Sequence, residues 1–105
     1  MSKDLTYEFI ARLKNLPFIE QIWLFGSRAR GDHEERSDID IAILCPQATA
    51  TDWLKVNHII ATADTLLKID CIRFDRHTMS TEFYANILRD KKVIYMQEIP
   101  WKDYF

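Results

Sequence analysis

Glycine is nearly missing from this chain: its 105 residues contain two, Gly26 and Gly31, where the usual frequency of ~7% would supply about seven. Cysteine is as rare. Cys45 and Cys71 each sit inside an apolar run and no C-x-x-C pair occurs, so packing rather than metal or redox chemistry is expected of both. Long apolar runs are absent too, the longest falling far short of the ~20 residues that cross a bilayer, and the opening MSKDLTYEF has nothing resembling a signal peptide. A cytoplasmic protein with no membrane partner is expected. The formal net charge of −2 lacks the clustered Lys and Arg that a dedicated nucleic-acid surface needs, so any nucleotide contact should be local.

What is present is the composition of an ordinary globular protein, 48% hydrophobic and 29% charged, which excludes disorder as a class. A chain of this length should bury roughly 60 to 70% of its unfolded surface, enough for one core, so residues 1–105 are read as one domain.

Leu5, Phe9, Leu13 and Leu16 recur at helical spacing through residues 4–16, with Pro17 as a stop. QIWLF at 21–25 is short, apolar and aromatic, and ends at Gly26, which predicts a buried strand. DIDIAIL at 38–44 is apolar on both faces after Asp40 and reads as a central strand. Residues 52–67 carry Trp53, Val56, Ile59, Ile60, Ala63 and Leu67 at helical period, with Thr51 as the expected N-cap. KIDCIRF at 68–74 predicts a third strand, STEFYANILR at 80–89 a helix with Phe83, Ile87 and Leu88 inward, and KVIYM at 92–96 a last strand. The expected fold is a mixed α/β domain: a sheet of about four strands, DIDIAIL central, with helices packed mainly on one face.

Both glycines fall in one segment, GSRARG. After a buried strand, Gly26 permits a backbone conformation closed to other residues and lets another group approach the main chain. Ser27 stands where a helix can begin, so its hydroxyl and the N–H groups that follow can converge on a phosphate, with Arg28 and Arg30 as nearby donors. A tight turn with a serine cap would use the same residues. Asp38 and Asp40 are harder to explain structurally, because residues two apart on a strand share a face and two carboxylates side by side repel. A hard divalent cation such as Mg²⁺ removes that repulsion, and it characteristically takes one or two carboxylates plus substrate phosphate oxygens. Asp70 sits among Ile69, Cys71 and Ile72, where an unpaired acid is costly. Beside DIDIAIL it would join the other two carboxylates; otherwise it bonds a backbone group or an arginine such as Arg73.

Gly26-Ser27, ten intervening residues, Asp38-Ile39-Asp40 and a later strand bearing Asp70 together resemble the DNA polymerase beta-like nucleotidyltransferase superfamily. Within it, the short chain and the version GSRARG…SDID resemble the stand-alone minimal (MNT-type) nucleotidyltransferases. The resemblance spans about residues 5–96. It implies that Asp38, Asp40 and Asp70 bind metal, two Mg²⁺ ions in all, with Asp70 also activating an acceptor hydroxyl. It further implies a nucleotide site drawing on Gly26, Ser27, Arg28, Arg30 and Ser37, with ATP as substrate. Relatives of this size often serve as antitoxins that add AMP to a tyrosine of a HEPN-domain toxin, so a HEPN toxin is the expected partner. The chain is too short for a second, acceptor-binding domain, so that site must come from a partner or from self-association. Two other readings remain: a non-catalytic antitoxin or binding module that sequesters its partner, and a catalytic subunit modifying a small molecule beside a separate substrate-binding subunit.

Weaker signals attract bland readings. Arg28 and His33 form an R-x₄-H spacing like that of HEPN RNases, here taken as coincidence. His58, His77 and the run DHEER are read as solvated or packing residues. The aromatic tail, Trp101, Tyr104 and Phe105, fits either a core edge or an interface.

Overall fold

In the computed structural model residues 7–98 are described. The eight elements follow the sequence pattern in order: α1 (Glu8–Lys14), β1 (Gln21–Phe25), α2 (Gly26–Arg30), β2 (Ile39–Leu44), α3 (Ala50–Ala61), β3 (Ile69–Arg73), α4 (Thr81–Asp90) and β4 (Lys92–Met96). The four strands form one mixed sheet in the order β3-β2-β1-β4. β1 runs antiparallel to β2 and to β4, while β2 and β3 are parallel. A parallel pair needs a crossover, and α3 supplies it.

β2 lies inside the sheet, and its alternation divides the protein into two unequal cores. Ile39, Ile41 and Ile43 point to one face, where they meet Ile22 and Leu24 of β1, Phe9, Ile10 and Leu13 of α1, and Val56 and Ile59 of α3. Most of these side chains are fully buried, so this face carries the bulk of the apolar stabilisation at ~25 cal/mol per Å² removed from water. The opposite face is smaller: Trp23, Phe25, Ala42 and Phe74, closed over by Ile87 of α4. The helices therefore pack mainly on one face, with α4 alone across the other.

Several boundaries differ from the sequence expectation for identifiable reasons. Thr49, not Thr51, caps α3: its hydroxyl accepts from the Asp52 N–H at 3.1 Å while Asp52 accepts from the Thr49 N–H at 2.9 Å, a reciprocal capping box. The same helix stops at Ala61 instead of running to residue 67. The Thr62 hydroxyl bonds back to the His58 carbonyl at 2.8 Å, and Thr65 accepts from the Leu67 N–H at 3.1 Å. Such side-chain bonds offer the backbone an alternative to the helical ladder. In α4 Ser80 is the cap and Ile87 is buried, but Phe83 and Leu88, expected inward, are 40% and 41% exposed. Cys45 is buried in the larger core and Cys71 packs against it half-buried. Burial pushes the Cys71 thiol up to about 12, which suits packing and not thiolate chemistry. Leu5 and the tail residues Trp101, Tyr104 and Phe105 lie outside the described residues. No helix among those described is long and apolar enough to cross a membrane.

Candidate active site

The face that carries Ile39, Ile41 and Ile43 is full, so Asp38 and Asp40 must point the other way, toward the smaller core. There the register does the assembling. Asp40 lies opposite Phe25 on β1 and directly beside Asp70 on β3. The Asp40 and Asp70 carboxyl groups come close enough to share a proton. Burial, the neighbouring Asp70 charge, that shared hydrogen bond and the Asp38 charge together push Asp40 up to about 6, with Arg30 opposing them. A carboxyl so shifted is ionised less readily than an exposed aspartate, because burial and like charge both disfavour its charged form.

Gly26 makes the crowding possible. Its φ of +69° lies in the left-handed region, and a Cβ built there would collide with the Asp40 carboxylate. Both properties expected of this glycine are therefore realised, conformational freedom and close approach. The chain turns at once into α2, whose end is fixed by Gly31 at φ +85°, with the Gly31 and Asp32 N–H groups donating to the Ser27 carbonyl at 2.9 and 3.1 Å. Ser27 is half-buried, and its hydroxyl has no hydrogen-bond partner among the described residues.

Arg28 of α2 is engaged with the loop that precedes β2. Its side chain is buried, and it donates to the Glu35, Ser37 and Asp38 carbonyls at 2.8 to 3.2 Å. It ties the loop before β2 to α2 and so fixes where Asp38 enters the strand. Ser37 belongs to the same loop, its hydroxyl accepting from the Glu34 N–H at 2.9 Å. His33 is exposed in that loop. Arg30, by contrast, faces the carboxylates: it is close enough to lower Asp40, bonds Asp32 at 3.1 Å and reaches Asp90 of α4 at 3.8 Å.

Asp70 is less buried than its apolar neighbours suggested, because β3 is an edge strand. Its side chain is 45% exposed, with Lys68 at 3.7 Å. Arg73, its possible structural partner, instead donates to the Cys45 and Ala48 carbonyls at 3.0 and 2.9 Å. Among the described residues no group of three carboxylates, imidazoles or thiolates is drawn close enough to enclose a metal. What converges is the Asp40–Asp70 pair, with Asp38 near enough to act on Asp40 through its charge. A pair of hard oxygen donors suits Mg²⁺ completed by phosphate and water.

Sequence reading missed one neighbour. A cavity of about 200 Å³ opens between α2 and α4, lined by Phe25, Gly26 and Arg30 on one side and Phe83, Asn86, Ile87, Arg89 and Asp90 on the other. Asn86, Arg89 and Asp90 fall on one stripe of α4 at helical spacing, but such a polar stripe is ordinarily a solvated face. Only the packing of α4 beside α2 gives it another meaning.

Comparison with known proteins agrees with this geometry. The family model described as Polymerase beta, Nucleotidyltransferase matches residues 8–99. A Methanocaldococcus jannaschii protein, provisionally named a protein adenylyltransferase, is 31% identical over 101 residues, 84% of this chain and 92% of its own. Among solved structures, a toxin–antitoxin crystallised with AMP-PNP is similar with a TM-score of 0.65 at 22% identity, covering 92% of this chain and 76% of that one. A tri-AMPylated Shewanella oneidensis HEPN toxin in complex with its MNT antitoxin is similar with a TM-score of 0.56 at 20% identity, over 90% and 71% of the two chains. At these identities the structural likeness is one of fold.

Proposed function

The chain belongs to the polymerase beta nucleotidyltransferase family, and from that premise we propose that it transfers AMP from ATP to a hydroxyl of a partner protein, a tyrosine of a HEPN toxin, and so acts as an antitoxin. The observation that carries this reading is the convergence of Asp40 and Asp70 against a Gly26 that has no room for a side chain. A carboxylate pair of that kind costs stability through repulsion and burial, and a fold keeps it where a cation and a phosphate are to be held. The choice of AMP and of a toxin acceptor is supported by the names of the similar proteins: an adenylyltransferase, and an antitoxin bound to an AMPylated HEPN toxin.

Two Mg²⁺ ions held by Asp38, Asp40 and Asp70 would neutralise triphosphate charge and lower the proton affinity of the acceptor hydroxyl. Gly26 and Ser27 bind the triphosphate through backbone N–H and hydroxyl donors. Arg30 adds a cation, while Arg28 and Ser37 act from behind by holding the loop that delivers Asp38. Asp70, on the outer strand and half-exposed, faces the side from which an acceptor can arrive. It takes the hydroxyl proton as the oxygen bonds to the α-phosphorus. The bond from that phosphorus to the bridging oxygen breaks, and pyrophosphate leaves in line, opposite the acceptor.

Co-expression with a HEPN partner, followed by intact-mass measurement, tests the reading. Wild type should add whole AMP units to the partner and Asp40→Asn should add none. A partner that is neutralised equally well by both, with no change in mass, would establish sequestration instead.

A further inference from the structure

The sheet order gives the reaction a direction. Asp70 on β3, Asp40 on β2 and Gly26 at the end of β1 stand in succession across three adjacent strands, and beyond Gly26 lies the cavity between α2 and α4. If the acceptor approaches over Asp70, in-line departure carries the pyrophosphate away from it, past Gly26 and into that cavity. The cavity combines apolar and charged lining. Phe25, Phe83 and Ile87 supply apolar walls, with the Phe25 and Phe83 rings edge to face at 5.9 Å. Arg30 enters from α2 and Arg89 from α4.

Between these two guanidiniums stands one carboxylate. Asp90 accepts from Arg89 Nε and Nη2 at 3.0 and 3.1 Å and lies 3.8 Å from Arg30 Nη1, with only 16% of its side chain exposed. A carboxylate bridging two arginines from different helices fixes both, and the planar fork of each leaves other N–H donors directed elsewhere. We propose that Arg89 is a second cation for the pyrophosphate end of the bound nucleotide, working with Arg30, and that Asp90 is the positioning residue that holds the two guanidiniums at the cavity mouth. This rests on the transferase reading above, and it adds two residues of α4 to the site.

Titration calorimetry on the purified full-length chain, with Mg-ATP and with AMP as separate probes, tests it. Arg89→Gln should weaken Mg-ATP binding about tenfold while AMP, which lacks the β- and γ-phosphates, changes by about twofold or less. Arg89→Lys should fall between wild type and Arg89→Gln, because a point charge replaces a fork. The double variant Arg89→Gln/Asp90→Asn should remain weak. Recovery of wild-type affinity in the double variant would overturn the proposal, since Arg89 would then only have neutralised Asp90. Mg-ATP affinity unchanged in Arg89→Gln would overturn it as well while leaving the transferase reading intact. A wild-type chain that binds no Mg-ATP would overturn both.

Discussion

β2 shows two kinds of design in a single strand. Its residues Ile39, Ile41 and Ile43, each 0–1% exposed, enter the larger apolar core. Asp38, Asp40 and Ala42 alternate with them on the other face, where the apolar packing ends at Ala42 and Phe25 and Asp40 is left paired with Asp70 of β3, with Asp38 near enough to act through its charge. The first face is optimised for burial; the second accepts repulsion that burial makes worse. Stability and function are therefore separable here by single-residue steps along a strand, because a strand changes face at every residue.

That contrast can be broken most sharply at Asp40 and Ile41. Asp40→Asn should lower transfer to the partner by about 10³ or more, measured by single-turnover labelling, because both metal binding and charge neutralisation go. Ile41→Ala should instead cost ~3–4 kcal/mol of stability in urea unfolding by opening a cavity in the larger core, with the carboxylate geometry preserved in whatever fraction stays folded. Asp70→Asn comes next: transfer should fall by about 10² while Mg-ATP affinity stays within about tenfold, since its role is exercised on the acceptor side. The two glycines give a smaller, paired test. Gly26→Ala meets both a left-handed φ and the Asp40 carboxylate, whereas Gly31→Ala meets only the φ, with open space around it. Gly26→Ala should lose ~1–3 kcal/mol of stability and most Mg-ATP binding, and Gly31→Ala about 1 kcal/mol with binding kept.

The smallest effect is on pH dependence. Asp40 protonates near 6 in the fold against 3.8 for an unperturbed group, so between those values the native state binds more protons than the unfolded one. Its contribution to stability must then fall as pH rises from about 4 to about 6 and stay low above. In EDTA, Asp40→Asn should remove that slope and stabilise the metal-free chain at pH 7 by up to ~1 kcal/mol, the shift being discounted for solvent screening of a half-exposed group.

Much of this was legible in the sequence where the signal is local. Strand periodicity placed β1, β2, β3 and β4 within a residue of their observed ends, and the pair of aspartates two apart singled out the face of β2 on which Asp40 meets Asp70. Gly26 announced itself by scarcity. Other features depend on competition that composition does not reveal: α3 ends early because Thr62 and Thr65 bond the backbone, and its cap is Thr49 because Asp52 completes the box. Arg28 and Arg30 are two residues apart in a basic loop, yet α2 turns one inward to the Ser37 and Asp38 carbonyls and the other outward to the carboxylates. Arg89 and Asp90 were illegible for a plainer reason, since nothing in the sequence of α4 says that it packs beside α2.

If the polar face of β2 binds Mg-nucleotide as proposed, a thermal melt of the purified chain against Mg-ATP shows it directly. Ligand that binds only the native state raises the melting temperature with concentration, by an amount equivalent to about 2.7 kcal/mol at a hundred times Kd. The wild-type chain should melt several degrees higher in millimolar Mg-ATP than in buffer with EDTA, and Asp40→Asn should show little or no rise. An equal rise in both, or none in the wild type, would contradict the claim.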